Sequence, residues 1–366
     1  MIAYDLPNLF LILITIIFCF RLNIVPFWLS FLLGFLAFTP FFLNNVLFSP
    51  SYMPDQYIYF QASKDIRSLI FGTTDYQTVQ IASWMLALIP LPYIETIQSL
   101  GFFNRFIMTL VIIWLYSAKN IRGWPLLFIL LYPSLILYSS LALRDTLVFL
   151  FMILSIVFFI ENRKLFAFLI SLPLLFIKFQ NFFILIVFFV FHLLFTKGSI
   201  FYKYRYLISI AIAFILSLFI MPLIDILDFY RLALFVEDGG DPFDYIHITS
   251  FLEFFFISIK SAPYFMMKPF PWETDNIFQL IQSLENIFLL IFLVFFFLKV
   301  SKLDKKIAFK WFVFLLFAFS IYGLTVYNFG TAVRYKFPFI LIIVIGMAHE
   351  LYLNHGKLIF NRTIKN

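Results

Sequence analysis

Residues 277–326, IFQLIQSLENIFLLIFLVFFFLKVSKLDKKIAFKWFVFLLFAFSIYGLTV, decide the fold class of this chain. Two apolar runs, 277–298 and 307–326, meet at a junction that carries Lys299, Lys302, Lys305, Lys306 and Lys310. Each run is about twenty residues long, which an α-helix needs to cross roughly 30 Å of hydrocarbon. In lipid every backbone N–H and C=O must find its partner within the segment, so the pair reads as two transmembrane helices sharing one polar turn.

The remainder of the chain has the same character. Of its 366 residues 63% are hydrophobic and 12% charged, and the mean hydropathy is +1.01. A soluble domain carries roughly 25% charged residues, so lipid is the solvent here. The 57 phenylalanines read as lipid-facing positions, which hydropathy alone sets. Apolar stretches bounded by polar or Pro/Gly breaks occupy 6–20, 24–43, 101–118, 125–142, 146–160, 165–177, 182–195, 206–224, 277–298, 307–326 and 337–353. The expected fold is all-α, a polytopic transmembrane helical bundle of about 11 spans forming one integral membrane domain, 1–366. The shorter stretches imply tilt or burial against protein. Residues 81–94 are apolar but interrupted by Pro90 and Pro92, and read as a re-entrant or interfacial segment. Asp5 stands where a signal peptide has basic residues, and no A-x-A-like site follows, so the first run reads as a membrane helix.

Basic residues orient the bundle. Arg21, Lys119, Arg122, Arg163, Lys164, Lys197, Lys203, Arg205, the five lysines of the junction, Lys357, Arg362 and Lys365 fall on one side, sixteen of the 26 Lys and Arg. Of the 19 acids only Glu161, Asp304 and Glu350 share it. The positive-inside rule makes that side cytoplasmic. Counting 81–94 as a crossing would destroy the alternation. The outer face then carries two loops, 44–80 and 225–275. Within the second, 245–261 has apolar residues at near-helical spacing, an amphipathic helix expected along the membrane interface. No internal repeat is visible, which weakens a secondary-transporter reading.

The same residues exclude several chemistries. Cys19 is the only cysteine, so no internal disulfide or cysteine metal site forms. The four histidines have no zinc-ligand spacing, and no GxxxxGK[ST] loop occurs. No metal, cofactor or nucleic-acid partner is expected.

Ionisable residues at membrane depth cost several kcal/mol each and ask for a reason. Four positions stand out, all at the outer face. In YPSLILYSSLALRDTLVFLF (132–151), Arg144 and Asp145 separate two apolar runs. Either Asp145 caps the next helix while Arg144 snorkels, or Arg144 holds an anion that Asp145 orients or deprotonates. In LLFIKFQNFF (174–183), Lys178 is either an interfacial anchor or a further anion ligand. In YNFGTAVRYKFPF (327–339), Arg334 and Lys336 open the last helix and oppose its dipole, so they need an anion, from a side chain or from a phosphate. In SPSYMPDQYIYF (49–60), Asp55 with Tyr57 and Tyr59 is either an ordinary polar loop or a carboxylate and stacking rings at a sugar cleft. Arg144, Lys178, Arg334 and Lys336 together would suit a pyrophosphate on a long lipid tail.

PSLILYSSLALRDT (133–146), KPFPWETDNIFQLIQSLENIFLL (268–290) and NFGTAVRYKFPF (328–339) resemble segments of the bacterial O-antigen and capsular polysaccharide repeat-unit polymerases. The resemblance implies a metal-independent glycosyltransferase of the inner membrane that joins oligosaccharide units carried on undecaprenyl pyrophosphate. It implies pyrophosphate binding by Arg144 and Arg334, and a flippase and a chain-length regulator as partners alongside membrane lipid. It names no catalytic base, so Asp145, Asp55, His247 and Glu273 stay open. Two other readings compete. A glycosyltransferase using a polyprenyl-monophosphate sugar would rely on Asp55 in the first outer loop. A lipid-linked oligosaccharide flippase would need charges along a continuous path, whereas here they cluster at one face.

Overall fold

The computed structural model describes residues 2–44, 46–50, 53–72, 74, 76–118, 121–196, 200–237 and 239–355. Lys119, Lys197, Lys357, Arg362 and Lys365, used above to orient the bundle, lie outside the described residues. About 80% of the structure is helical, and no strand occurs among the described residues. Among the described residues, five helices are long and apolar enough to cross a membrane: Ala3–Arg21, Ile97–Ser117, Ile277–Leu303, Lys305–Thr325 and Phe329–His355. Phe27–Leu43, Asp145–Ile160, Lys164–Ile177 and Phe179–Phe195 are shorter apolar helices. The chain forms two compact units, Met1–Phe183 with Val344–Asn366, and Ile184–Ile343.

The first unit contains α1 (Ile2–Arg21), α2 (Phe27–Leu36), α3 (Thr39–Leu43), α4 (Asp55–Arg67), α5 (Gln77–Ala87), α6 (Ile97–Ser117), α7 (Trp124–Leu131), α8 (Pro133–Tyr138), α9 (Asp145–Ile160), α10 (Lys164–Ser171), α11 (Pro173–Ile177) and the start of α12 (Phe179–Phe195). Helix α6 is its centre and is mostly buried. Its N-terminus is tied down twice. Thr96 and Ser99 form a capping box, and both hydroxyls donate to the buried Asp5 carboxylate at 2.6 Å. Asn8, one turn further along α1, exchanges hydrogen bonds with the Tyr93 backbone at 2.9 and 3.2 Å. Asp5 therefore satisfies the two hydroxyls that cap the start of α6.

Two proline effects shape this unit. Helix α5 stops at Ala87, ahead of Pro90 and Pro92, and the 81–94 stretch continues as irregular chain. The Arg67 guanidinium gathers its freed carbonyls, those of Ala87 at 2.9 Å, Leu91 at 2.6 Å, and Ile89. The second effect corrects the expected run 125–142. Tyr132, held extended before Pro133, separates α7 from α8, and the chain leaves helical geometry altogether after Tyr138.

The second unit holds the rest of α12, α13 (Ile200–Lys203), α14 (Arg205–Glu237), α15 (Phe251–Met267), α16 (Ile277–Leu303), α17 (Lys305–Thr325) and the first half of α18 (Phe329–His355). At the lysine junction Asp304 caps α17, accepting from the Lys306 and Ile307 amides at 2.9 and 3.1 Å. Helix α15 packs along α17 at Gly323, where an added Cβ would lie 2.5 Å from the Ser261 carbonyl oxygen. Helix α15 also starts later than the expected 245–261. Ser250 accepts the Glu253 amide at 3.3 Å, and Glu253 returns to the Thr249 amide and hydroxyl at 2.9 Å, so the cap sits at 249–253. Residues 245–248 are irregular chain and bond elsewhere, as described below.

Candidate functional site

In the first unit the link between α8 and α9 is buried without being helical. Leu141, Ala142 and Leu143 are each 2% exposed or less. Buried irregular backbone survives only where protein or water satisfies its polar groups. Here side chains do so. Asn104 Nδ2 donates to Leu141 O at 2.6 Å and Leu143 O at 2.7 Å. Arg105 Nη2 donates to Ile136 O at 2.7 Å and Ser140 Oγ at 2.6 Å. Gln56 Oε1 accepts from the Ala142 amide and from Asn44 Nδ2, both at 3.0 Å. Gly101 allows the approach, since a Cβ there would lie 2.3 Å from Ser140 O.

Several polar atoms around this link are buried with no hydrogen-bond partner among the described residues: Asn44 Oδ1, Asn104 Oδ1, Arg105 Nε, Arg144 Nη1 and Thr146 Oγ1. Each belongs to 139–146 or to a residue tied to it by the bonds above. One such atom costs about 1–3 kcal/mol, and more when charged. Native structures hold only a few per hundred residues, so their gathering here points to a polar ligand site. Two guanidinium N–H groups and a hydroxyl suit an anion, and the amide oxygens suit sugar hydroxyls.

Of the expected residues, Arg144 and Asp145 lie at this site. Arg144 occupies the cap position of α9 and makes no side-chain cap bond. Asp145 lies inside the first turn and is 5% exposed, so the expected cap by Asp145 is replaced by a carboxylate placed on the positive end of the helix. Asp55 opens α4 immediately before the network residue Gln56. Tyr57 is exposed and Tyr59 buried, because two residues of α-helix turn about 200°. They do not form one stacking surface. Lys178 closes α11. Arg105 was not among the expected residues. Its signal is an Asn-Arg pair inside an apolar run, four residues after Gly101.

In the second unit, Arg334 and Lys336 lie in the second turn of α18, past its opening turn. Arg334 is half-buried. Lys336 is 1% exposed. Its Nζ donates to Met266 O at 2.8 Å, Lys268 O at 3.2 Å and Asn286 Oδ1 at 2.8 Å. Asn286 Nδ2 in turn donates to Met267 O at 3.1 Å and Lys268 O at 2.9 Å. The three ammonium donors therefore have acceptors without a ligand. Glu273 is similarly engaged, accepting from Tyr264 Oη at 3.2 Å and from the Phe270 amide at 3.0 Å.

Asp228, in the last third of α14, organises the irregular 245–248 segment. Its Oδ1 accepts from Arg231 Nη1 at 3.1 Å, Tyr245 Oη at 2.7 Å and the Ile248 amide at 3.0 Å. Its Oδ2 lies 2.7 Å from His247 Nδ1. Burial opposes ionisation of Asp228, but hydrogen bonds from His247, Tyr245 and Ile248 together hold its pKa below the ordinary value. Burial, then the hydrogen bond to Asp228, pushes the Tyr245 phenol up. Arg144 and Lys178 thus belong to the first unit and Arg334, Lys336, His247 and Glu273 to the second. Comparison with protein-family models, curated proteins and solved structures finds no match.

Proposed function

We propose that the protein polymerises undecaprenyl-pyrophosphate-linked oligosaccharide repeat units at the outer face of the cytoplasmic membrane, as a multi-pass, metal-independent glycosyltransferase. The topology belongs to the same proposal: about eleven crossings, N-terminus outside, C-terminus in the cytoplasm, and α15 in the outer loop 225–275. The observation that carries it is the buried link 139–144, where Arg105 and Arg144 keep unengaged N–H groups beside amide oxygens. That link is also the centre of the segment that resembles the polymerases.

In the reaction the bond between sugar C1 and the phosphate oxygen breaks, and the lipid pyrophosphate departs with the electron pair. Arg105 and Arg144 stabilise the charge growing on the departing oxygen. An acceptor hydroxyl attacks C1 and loses its proton. With a good leaving group, positioning contributes much of the rate.

The test is the length distribution of surface polysaccharide in a strain deleted for this gene and carrying each variant. Arg105→Ala and Arg144→Ala are expected to remove long chains while single repeat units are still made and the protein accumulates normally. Arg144→Lys keeps charge but loses the planar fork, and is expected to shorten chains. Normal long chains in both alanine strains would end the pyrophosphate role. Long chains in the deleted strain itself would end the polymerase reading.

A further inference from the structure

We propose that the groove between α16 and α17 binds an anionic phospholipid, with an acyl chain in the groove and the headgroup phosphate at the lysine junction. Every residue concerned lies within the second unit, and the site is independent of the transfer reaction. The cavity measures about 430 Å³, within the range of about 300–1,000 Å³ that ligand pockets span.

Helical spacing builds its walls. Leu293, Phe297 and Ser301 succeed one another by four along α16, and Lys305, Ala308 and Phe312 by three or four along α17. The two stripes face each other, and the rings of Phe297 and Phe312 meet edge-to-face at 6.0 Å. Leu293 and Ala308 are buried at the floor, while Val294, Leu298 and Phe309 are exposed along the rim. Both helices are long and apolar enough to cross a membrane. A groove between such helices takes an acyl chain, and the charge at its end decides which headgroup that chain carries.

Polarity is confined to one end. Of the lining residues only Ser301 and Lys305 are polar, and both flank the turn between α16 and α17. Neither side chain bonds a described residue. Lys302 and Lys306 stand next to them, exposed and likewise without an ion pair among the described residues. Lys310 is engaged elsewhere: it is buried, and its Nζ donates to His192 Nδ1 at 2.8 Å. Asp304 is the only acid between Lys299 and Lys310, and its Oδ1 accepts the Lys306 and Ile307 amides. Lys305 and Lys306 also occupy the first turn of α17, where the helix dipole disfavours cations. An anion at this end offsets the dipole and the repulsion among the lysines together. A phosphate with a hydrocarbon tail answers both ends of the groove. A wholly apolar occupant leaves the lysines unanswered, and residues 356–366, with Lys357, Arg362, Lys365 and no acid, repeat their charge.

The test is native mass spectrometry of the full chain in detergent, with dioleoyl phosphatidylglycerol, dioleoyl phosphatidylcholine or undecaprenyl phosphate added in turn. The wild type is expected to retain one phosphatidylglycerol in preference to phosphatidylcholine. A lysine at a membrane surface contributes about fivefold, so combining Lys302→Gln with Lys305→Gln is expected to weaken phosphatidylglycerol about 25-fold and leave phosphatidylcholine unchanged. Ala308→Trp fills the groove and is expected to remove the bound lipid. Where Ala308→Trp accumulates poorly, the lysine variants, both at exposed positions, decide. Lys260→Gln, on α15 outside the groove lining, is expected to change nothing. Equal retention of the two phospholipids by the wild type, or full retention of phosphatidylglycerol by the double lysine variant, would overturn the proposal. So would undecaprenyl phosphate held in place of phosphatidylglycerol, which would make the groove a polyprenyl site.

Discussion

Arg105 in the first unit and Lys336 in the second are both buried cations on apolar helices, and the fold treats them in opposite ways. Lys336 is matched donor for acceptor by Met266, Lys268 and Asn286. Arg105 keeps an unengaged Nε and makes no ion pair among the described residues. A cation matched in this way fastens a loop to a helix, and its energy is spent on the fold. A cation left partly unmatched is poised for something that comes and goes. Burial of charge is therefore not by itself a mark of function, and the state of its hydrogen bonds is the better guide.

The sharpest way to break this contrast is to remove each head group while keeping bulk. Lys336→Met strands the Met266 carbonyl and the Asn286 amide oxygen in apolar surroundings, while Lys268 O keeps the Asn286 amide. The expected loss is about 3–5 kcal/mol, seen as poor accumulation and a lowered melting temperature in detergent. Arg105→Met removes an unpaired charge along with its bonds, and Ile136 O keeps the Ser140 hydroxyl at 2.7 Å. Its expected destabilisation is about 1–2 kcal/mol, with long-chain polysaccharide abolished all the same. Equal melting-temperature losses in the two variants would erase the distinction.

A second pair of variants tests the same contrast through glycine. Gly101 lets α6 approach the backbone of the 139–144 link, and Gly323 lets α17 approach α15. A methyl group at either forces backbone apart, at about 1–3 kcal/mol. Gly101→Ala is expected to abolish long chains as well, because it displaces Ser140 and with it the Arg105 contact. Gly323→Ala is expected to lower the melting temperature by a similar amount while chain length falls only in proportion to protein level. A Gly101→Ala protein with full activity would show that the link tolerates displacement and is not the site.

Much of the helical fold was legible because its causes are local. Apolar length, the lysine junction, the Asp304 cap and the prolines at 90, 92 and 133 each act within a few residues of the feature they produce. Arg144 was legible as a charge at the end of an apolar run. The unwinding after Tyr138 was not, since SSLAL contains neither Pro nor Gly and is stabilised by Asn104, Arg105 and Gln56 from elsewhere in the unit. Arg105 is less legible because it lies inside an apolar run, where hydropathy does not mark it, and not at the end of one. Lys336 looked like a ligand for the converse reason: its three acceptors are 50 to 70 residues away in sequence. The Asp228–His247 couple spans 19 positions and depends on the non-helical path of 245–248, where apolar spacing predicts helix.

The smallest expected effect concerns that path and follows from Asp228. Its folded pKa lies below the ordinary aspartate value of 3.8, so the unfolded segment binds the proton more readily. The stability it lends is fully present above 3.8 and is lost as pH falls through the lower, folded value. Arg231, His247 and Tyr245 all bond this carboxylate, and its protonation weakens the three bonds together. Acidification to that range is therefore expected to release 245–248 while Arg231 stays on Leu324 O and the rest of the unit persists. Hydrogen exchange at the Ile248 amide, read against Asp228→Asn at each pH so that intrinsic exchange cancels, is the measurement. Wild type is expected to be better protected than the variant above pH 3.8 and to converge on it below. Equal protection at neutral pH would mean that the carboxylate does not hold the segment.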